Sequence, residues 1–480
     1  MNFAIVRYLI GWLMGIESLF LLLPAFTAVI YREPELPAYI ATALICMVGA
    51  GILCEYKPKN TKFYAREGFV AVALCWLVLA VTGALPFVLS REIPFAVDAI
   101  FEAASGFTTT GATILGDVEA LSHASMLWRC LMHWVGGMGI LVFMLIVLPL
   151  AGGQTIYLMR AESPGPSVSK ISPHMRDTAL ILYAIYFGLT VLQIILLLFG
   201  GMPMFDAICV SLGTAGTGGF AIKNSSMGGY SYFLQTVVTV FMFLFGVNFS
   251  LYYMLLLRKF KAVFKNEELR LYFGIAAGSV VLIAINISRM YNTVCESVHH
   301  AAFQVVSIMT TTGYGTVDFE QWPAFSKAIL LSLMFIGASA GSTGGGLKVS
   351  RVLLLMKSIR RTIRKALHPR RVQPVYMDGR AVSEEVCDNV NAYLAIYCVI
   401  LVLSFAVISV DGFSIGTNFS AVASCFNNIG PGFELVGATQ NFSIYSDLSK
   451  IILSLDMLLG RLEIFPLLLL LSPDTWSRRR

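Results

Sequence analysis

The chain has 480 residues and a formal net charge of +6; 57% of its residues are hydrophobic and 13% charged, and its mean hydropathy is +0.75. Soluble globules carry about a quarter charged residues, so the soluble domains that length alone would allow are excluded. No Asp, Glu, Lys or Arg lies between Gly68 and Ser90, Ile181 and Phe205, Ser231 and Leu257, Leu271 and Ser288, or Asn391 and Val410. About 20 apolar helical residues cross a bilayer core, so these runs read as spans. Most of the nine cysteines, such as Cys46, Cys75, Cys209 and Cys398, sit inside apolar runs and form no Cys-x-x-Cys pair, so they read as packing residues.

Taken in chain order, the pattern predicts ten spans and four re-entrant half-helices. Residues 1–60 hold two leading spans, near 8–30 and 37–55. The first is interrupted only by Glu17 and is too long for a signal segment, so it reads as a retained span. Four units follow. Unit one (61–155) has a span near 68–90, a half-helix near 95–107, the loop Thr109-Thr110-Gly111-Ala112-Thr113 and a span near 126–150. Unit two (156–262) carries Gly216-Thr217-Gly218-Gly219-Phe220, and unit three (263–372) carries Thr311-Thr312-Gly313-Tyr314-Gly315. Unit four (373–480) carries Asn428-Ile429-Gly430-Pro431-Gly432. The pivot glycines are read as Gly111, Gly218, Gly313 and Gly430, a weak repeat in sequence but a regular one in layout.

The half-helices begin at Asp98, Asp206, Glu296 and Ser414–Asn418. Acids suit the positive end of a helix dipole, and the opposite end then favours a cation at the glycine loop. A dehydrated ion needs replacement oxygens, which backbone carbonyls can provide if all turn toward one axis. That turn calls for glycine dihedrals, and threonines before the pivot (Thr110, Thr217, Thr312) can add hydroxyl oxygens. A single such loop reads as easily as helix packing; four in register do not.

Basic loops alternate with acidic ones. Lys57, Lys59, Lys62 and Arg66; Arg160, Lys170 and Arg176; Arg258, Lys259, Lys261 and Lys265; the run Arg351–Arg371; and Arg478–Arg480 face one side. The other side holds Glu33, Glu35, Asp117, Glu119, Asp318, Glu320, Asp411 and Glu434. The positive-inside rule puts the basic set in the cytoplasm, and acids at the outer mouth concentrate cations. The run Lys357–Arg371 reads as a topology signal, a contact with anionic lipid, or a dock for a cytosolic partner.

The second span of unit three is broken by loop 337–348, whose glycines each cost about 1 kcal/mol against alanine in a helix. Its Gly341–Lys348 segment mimics a phosphate-binding loop. Leu347 intervenes before the lysine and Val349 follows it, so the required hydroxyl is missing and nucleotide binding is rejected. The last span contains Asp456, Arg461 and Glu463, functional suspects because ionisable groups inside a span are costly. Their spacing makes neither acid an ideal helical partner of Arg461. His133, Arg129 and Asn248 read as packing or cavity lining. No metal-spaced cluster or nucleophile–base pair points to an enzyme.

The strings Ser105–Thr113, Thr214–Phe220, Thr310–Thr316 and Asn427–Phe433, with the two leading spans, resemble the Trk-type potassium transporter membrane subunits over essentially the whole length. Their superfamily also holds the Ktr and HKT proteins. The resemblance implies an all-α integral membrane fold of ten transmembrane helices: two extra helices, then four pseudo-repeated helix–pore-loop–helix units around one central pore. It implies a K⁺ filter of Thr109, Thr110, Gly111, Gly216, Thr217, Gly218, Thr311, Thr312, Gly313, Asn428, Ile429 and Gly430. Glycine at Gly111, where sodium-admitting relatives commonly carry serine, matches the potassium-selective type; Ile429 and Pro431 depart from the pattern. It also implies a gate of Gly341, Ser342, Thr343, Gly344, Gly345, Gly346 and Lys348, with Arg461 on the pore's inner side. Implied as well are potassium uptake across a bacterial inner membrane, a homodimer with one pore per protomer, and a cytosolic ring of nucleotide-binding regulatory subunits (TrkA-like). K⁺ is the transported ion, membrane lipid a partner, and neither a cofactor on this chain nor nucleic acid is expected. An ion-coupled symporter, driven by H⁺ or Na⁺, is the alternative.

Overall fold

The computed structural model describes residues 2–58, 65–139, 175–368 and 373–476. The later part of the expected span 126–150 lies outside them, as do Lys59, Lys62, Arg160, Lys170, Arg371 and Arg478–Arg480.

The backbone of an apolar chain in lipid must bond to itself, which leaves helix as the economical choice. Helices α1 (Phe3–Tyr31) and α2 (Leu36–Cys54) form an antiparallel pair. A left-handed Arg32 (φ 55°) ends the first, and Gly11, Gly15 and Gly49 let the two approach closely. Next come α3 (Ala65–Ser90), α4 (Ala96–Phe107), α5 (His123–Gly137), α6 (Met175–Phe199) and α7 (Met204–Gly216). Then follow α8 (Tyr232–Phe245), α9 (Phe249–Leu256), α10 (Phe260–Lys265), α11 (Glu267–Ile287), α12 (Val294–Met309), α13 (Ala324–Met334) and α14 (Val349–Leu367). A small antiparallel hairpin, β1 (Val375–Met377) with β2 (Arg380–Val382), pairs Tyr376 with Ala381. The chain finishes with α15 (Glu384–Ile408), α16 (Ile415–Phe426), α17 (Asp447–Arg461), α18 (Phe465–Leu471) and α19 (Pro473–Trp476).

The ten expected spans become six continuous ones among the described residues: α1, α2, α3, α6, α11 and α15. A seventh is present if the bent pair α8–α9 counts as one. In the apolar stretch of α3 61% of the residues are buried, against 22–28% in α2, α6, α11 and α15, so α3 is interior and the others present apolar faces outward. The expected uncharged span Ser231–Leu257 is in fact turned by 92° between α8 and α9. Hydropathy counts composition and cannot register that Asn248 starts a new helix by accepting the Ser250 N–H at 2.9 Å. Likewise α17 stops where Glu463 and Ile464 adopt φ of 57° and 68°. Only the break after α13 was visible in the sequence.

The short helices α4, α7, α12 and α16 have 12, 13, 16 and 12 residues, fewer than a bilayer crossing needs. Their neighbours form a closed circuit. Helix α4 packs on α5, α5 on α7, α7 on α8, α8 on α12, α12 on α13, α13 on α16, α16 on α17, and α17 back on α4.

Candidate functional site

Each short helix ends in the same way. Thr109, Thr217, Thr311 and Asn428 turn left-handed, with φ of 55°, 53°, 59° and 56°. Two residues later Gly111, Gly219, Gly313 and Gly430 have φ of 79°, 75°, 87° and 99°, a region that glycine enters without a Cβ penalty. The residues between them donate to equivalent helix carbonyls: Thr110 to Ser105, Gly218 to Gly213, Thr312 to Ser307 and Ile429 to Ser424. The sequence register of the second loop was therefore one residue short. Gly219, not Gly218, matches Gly111; Gly218 matches Thr110; Thr217 matches Thr109; and Gly216 falls in the last turn of its helix. Two adjacent glycines left the pivot ambiguous, and only the dihedrals separate them.

The loops meet around one centre. A Cβ on Gly111 would lie 1.9 Å from the Gly218 carbonyl oxygen, and one on Gly219 would lie 1.8 Å from that of Thr312. One on Gly313 would lie 2.2 Å from the Ile429 oxygen, and one on Gly430 would lie 2.8 Å from that of Thr110. Each bare Cα is thus packed against a carbonyl of the next loop, and the fourth returns to the first. A cavity of about 120 Å³ opens on this ring and touches Gly111, Gly219, Gly313 and Gly430.

The threonine hydroxyls also hydrogen-bond within and between the loops. Thr110 Oγ1 bonds Thr108 Oγ1 at 2.8 Å and accepts from Asn428 Nδ2 at 3.0 Å. Thr312 Oγ1 bonds Thr310 Oγ1 at 2.8 Å, and Thr217 Oγ1 donates to the Gly216 oxygen at 2.6 Å. These hydroxyls brace the turns. Behind them, Ser307 and Ser424 donate to the carbonyls of Tyr314 and Gly430 at 2.6 and 2.7 Å.

A buried ion pair anchors the first two loops, and half of it was missed in the sequence. Glu102 on α4 accepts from Arg129 Nε at 2.8 Å, from Thr113 Oγ1 at 3.0 Å and from the Ile114 N–H at 3.1 Å. Arg129, 1% exposed, lies 4.0 Å from the Phe220 ring centre. His133 bonds the Gly106 oxygen through Nδ1 at 2.8 Å and accepts the Phe220 N–H at Nε2, 3.2 Å away. The bond pattern assigns a neutral ring with its proton on Nδ1. These residues hold loops, a more specific role than general packing. A glutamate one helical turn after Asp98, at membrane depth, was the available signal for Glu102.

Loop 335–348 presses on the ring's other side. The Gly345 N–H donates to Thr311 Oγ1 at 2.7 Å. A Cβ on Gly344 would sit 2.9 Å from the Thr310 oxygen, and one on Gly345 would sit 2.8 Å from that of Asn427. Ser342 Oγ donates to the Ser339 oxygen at 2.6 Å, Phe249 N–H donates to the Gly341 oxygen at 3.0 Å, and Gly346 is left-handed at φ 68°. Lys348 Nζ bonds the oxygens of Gly344 and Gly345, folding its charge into the loop. Arg461 Nη1 donates to the Thr343 oxygen at 2.8 Å, and Nη2 to those of Gly136 and Gly137 at 2.5 and 2.6 Å. Glu463 instead pairs with Arg351 at 2.6 Å, and Asp456 accepts from Ser404 at 2.7 Å. Buried Glu268 Oε1 accepts from the Ala340 N–H inside the loop at 2.7 Å and from the Ser350 N–H in the first turn of α14 at 3.2 Å.

Asp117 and Glu119 both accept from Asn224, which lines the ring cavity, at 2.7 and 2.9 Å. Hydrogen bonds from Ser414 and Thr417 hold the Glu434 carboxyl below its usual range.

The family model for TrkH, described as a cation transport protein, matches residues 38–478. The chain is 36% identical to the Trk system potassium uptake protein TrkH of Salmonella typhimurium, over 99% of this chain and all of the relative. It is 33% identical to TrkG of Escherichia coli over 98% of each. The crystal structure of the potassium transporter TrkH from Vibrio parahaemolyticus superposes with a TM-score of 0.88 at 32% identity, covering 99% of this chain and all of that one. This chain therefore belongs to the TrkH family of cation transport proteins, as a Trk-type potassium uptake membrane subunit.

Proposed function

We propose that the chain carries K⁺ inward through the glycine ring, which acts as its selectivity filter, and that loop 335–348 is the gate beneath it. The observation that carries this reading is the closed circuit of glycine-to-carbonyl contacts through Gly111, Gly219, Gly313 and Gly430. Four carbonyls fixed around one centre replace water oxygens at no cost of reorganisation. The candidate oxygens belong to Thr110, Gly218, Thr312 and Ile429, with those of Thr109, Thr217, Thr311 and Asn428 one residue inward.

Ions gather at the acidic outer mouth, shed water at the ring and meet the gate. Loop 335–348 blocks the way while Arg461 and Glu268 tie it to neighbouring helices. Arg461 adds a fixed positive charge that opposes cation passage. A membrane potential of 100 mV supplies about 2.3 kcal/mol per charge, enough to drive uptake once the loop moves. The remaining parts of the reading are four pseudo-repeated units, a homodimer with a pore in each protomer, a nucleotide-binding cytosolic regulator, and placement in a bacterial inner membrane.

The test is ⁸⁶Rb⁺ uptake into proteoliposomes under K⁺ or Na⁺ gradients at two pH values. The expected result is flux that K⁺ competes and Na⁺ does not, with no dependence on a proton gradient. Equal competition by Na⁺ overturns the filter, and flux that follows the proton gradient moves the reading to a coupled symporter. Deleting Gly344–Gly346 is expected to raise flux in the absence of any regulator; a silent but well-folded deletion removes the gate.

A further inference from the structure

Helix α14 leaves the gate loop and ends in an open basic cavity of about 680 Å³. Lys357, Arg360, Arg361, Arg364 and His368 line one wall, and residues 373–376 before and along β1 line the other. The volume lies in the range of small-molecule sites. Lys357 already pairs with Glu267, and Arg361 lies 3.5 Å from Glu384. No acid among the described residues forms an ion pair with Arg360 or Arg364.

Those two acids fix the depth of the cavity. Glu267 begins α11, and Glu384 begins α15, both continuous spans. Helix α11 has 21 residues, about 31 Å at 1.5 Å per residue, which matches a hydrocarbon core of about 30 Å. Its first residue therefore stands at the edge of that core, and Lys357 stands beside it. Helix α10, immediately before, supports the same level. Phe260 and Phe264 are exposed beside Lys261 and Lys265, the composition of an interfacial helix.

The same stretch of α14 exposes an apolar stripe at helical spacing. Ile359, Ile363 and Leu367 are 59%, 58% and 70% exposed, and Met356 continues the stripe toward the core. Residues three and four apart share a face, so this stripe runs alongside the one made by Lys357, Arg360 and Arg364. A cavity in which Arg360 and Arg364 form no ion pair among the described residues, an uncovered apolar stripe next to it, and a position at the edge of the bilayer together describe one occupant.

We propose that α14 and the β1–β2 hairpin form a binding site for an anionic phospholipid of the basic-side leaflet. Arg360 and Arg364 take the phosphodiester, and the acyl chains lie along Ile363, Ile359 and Met356. Because α14 continues directly from the gate loop, lipid bound there holds the helix on which that loop ends.

The test uses the full-length protein in neutral detergent, with phosphatidylglycerol or phosphatidylcholine added and retention read by native mass spectrometry. Wild type is expected to retain at least one phosphatidylglycerol in preference to phosphatidylcholine. R360Q/R364Q is expected to weaken that retention about tenfold or more, since each cation near an anionic surface contributes to binding. Equal retention of the two lipids, or unchanged retention in the double variant, overturns the proposal. Displacement of the lipid by millimolar inorganic phosphate also overturns it, because the site then takes a free anion. A second measurement covers a poorly folding variant. A nitroxide on Ile363→Cys, with the protein in phosphatidylglycerol liposomes, is expected to be reached by oxygen and shielded from a water-soluble relaxer. A label open to the aqueous relaxer, or cross-linking between copies at this position, shows a different cover and ends the assignment.

Discussion

Gly219 is the residue where geometry and sequence pattern part, and it gives the sharpest test. At φ 75° with the Thr312 oxygen 1.8 Å from any added Cβ, serine must both strain the backbone and push that carbonyl. Gly219→Ser is expected to reduce K⁺/Na⁺ discrimination at least tenfold, as is Gly313→Ser, with chain assembly unchanged by size exclusion. Retained discrimination in competition flux would refute the ring as the filter. Arg129 makes a second residue-scale case. Removing it leaves Glu102 buried without its cation, a loss of about 3–5 kcal/mol for a buried pair. Arg129→Gln is therefore expected to lower the unfolding midpoint of detergent-solubilised protein sharply, and E102Q/R129Q to recover part of it. Arg129 and His133 were visible as polar residues in a span. Their partners were not, since a contact between α4 and α5 has no local signature.

Among the elements, the short helices show how one design is met by different means. Helices α4, α7 and α12 carry Asp98, Asp206 and Glu296 in their first turns. Helix α16 has no acid there, only the cap Ser414. Glu434, from beyond the fourth loop, comes back to its N-terminus and accepts from Ser414 and from Thr417 Oγ1, the latter at 2.9 Å. A carboxylate held below its ordinary range stabilises the fold at neutral pH, and that contribution is lost as pH falls through the lowered value. E434Q should therefore flatten the acid side of a stability–pH profile and leave the neutral plateau lower; an unchanged acid limb would refute the borrowed cap. The proposed gate, loop 335–348, gives the second element-scale prediction. E268A removes the acceptor shared by Ala340 and Ser350 and is expected to raise unregulated ⁸⁶Rb⁺ flux several-fold. E268Q retains an acceptor oxygen and should stay near wild type. Equal flux from both variants would remove Glu268 from the gate. The break at this loop was legible because consecutive glycines disfavour helix. The 92° bend at Asn248 and the stop at Glu463–Ile464 were not, because each rests on one cap or one dihedral inside an apolar run.

For the molecule as a whole, uncharged runs and recurring glycine loops carried the class of the protein and the places where its short helices give way to glycine turns. The circuit that joins α4 through α17 and back is a product of long-range packing, which run lengths do not encode. So is the meeting of loops separated by most of the chain, such as Gly430 with the Thr110 carbonyl. One mechanical result follows from that closure. Every glycine is a gap that the following loop fills, so the ring behaves like the hoop of a cask. Thickening any stave shoves its neighbour, the disturbance travels round, and it arrives back where it began. With the ring as the proposed filter, ion preference becomes a shared property of the circumference, and a change in one quarter can be relieved by shaving a different one.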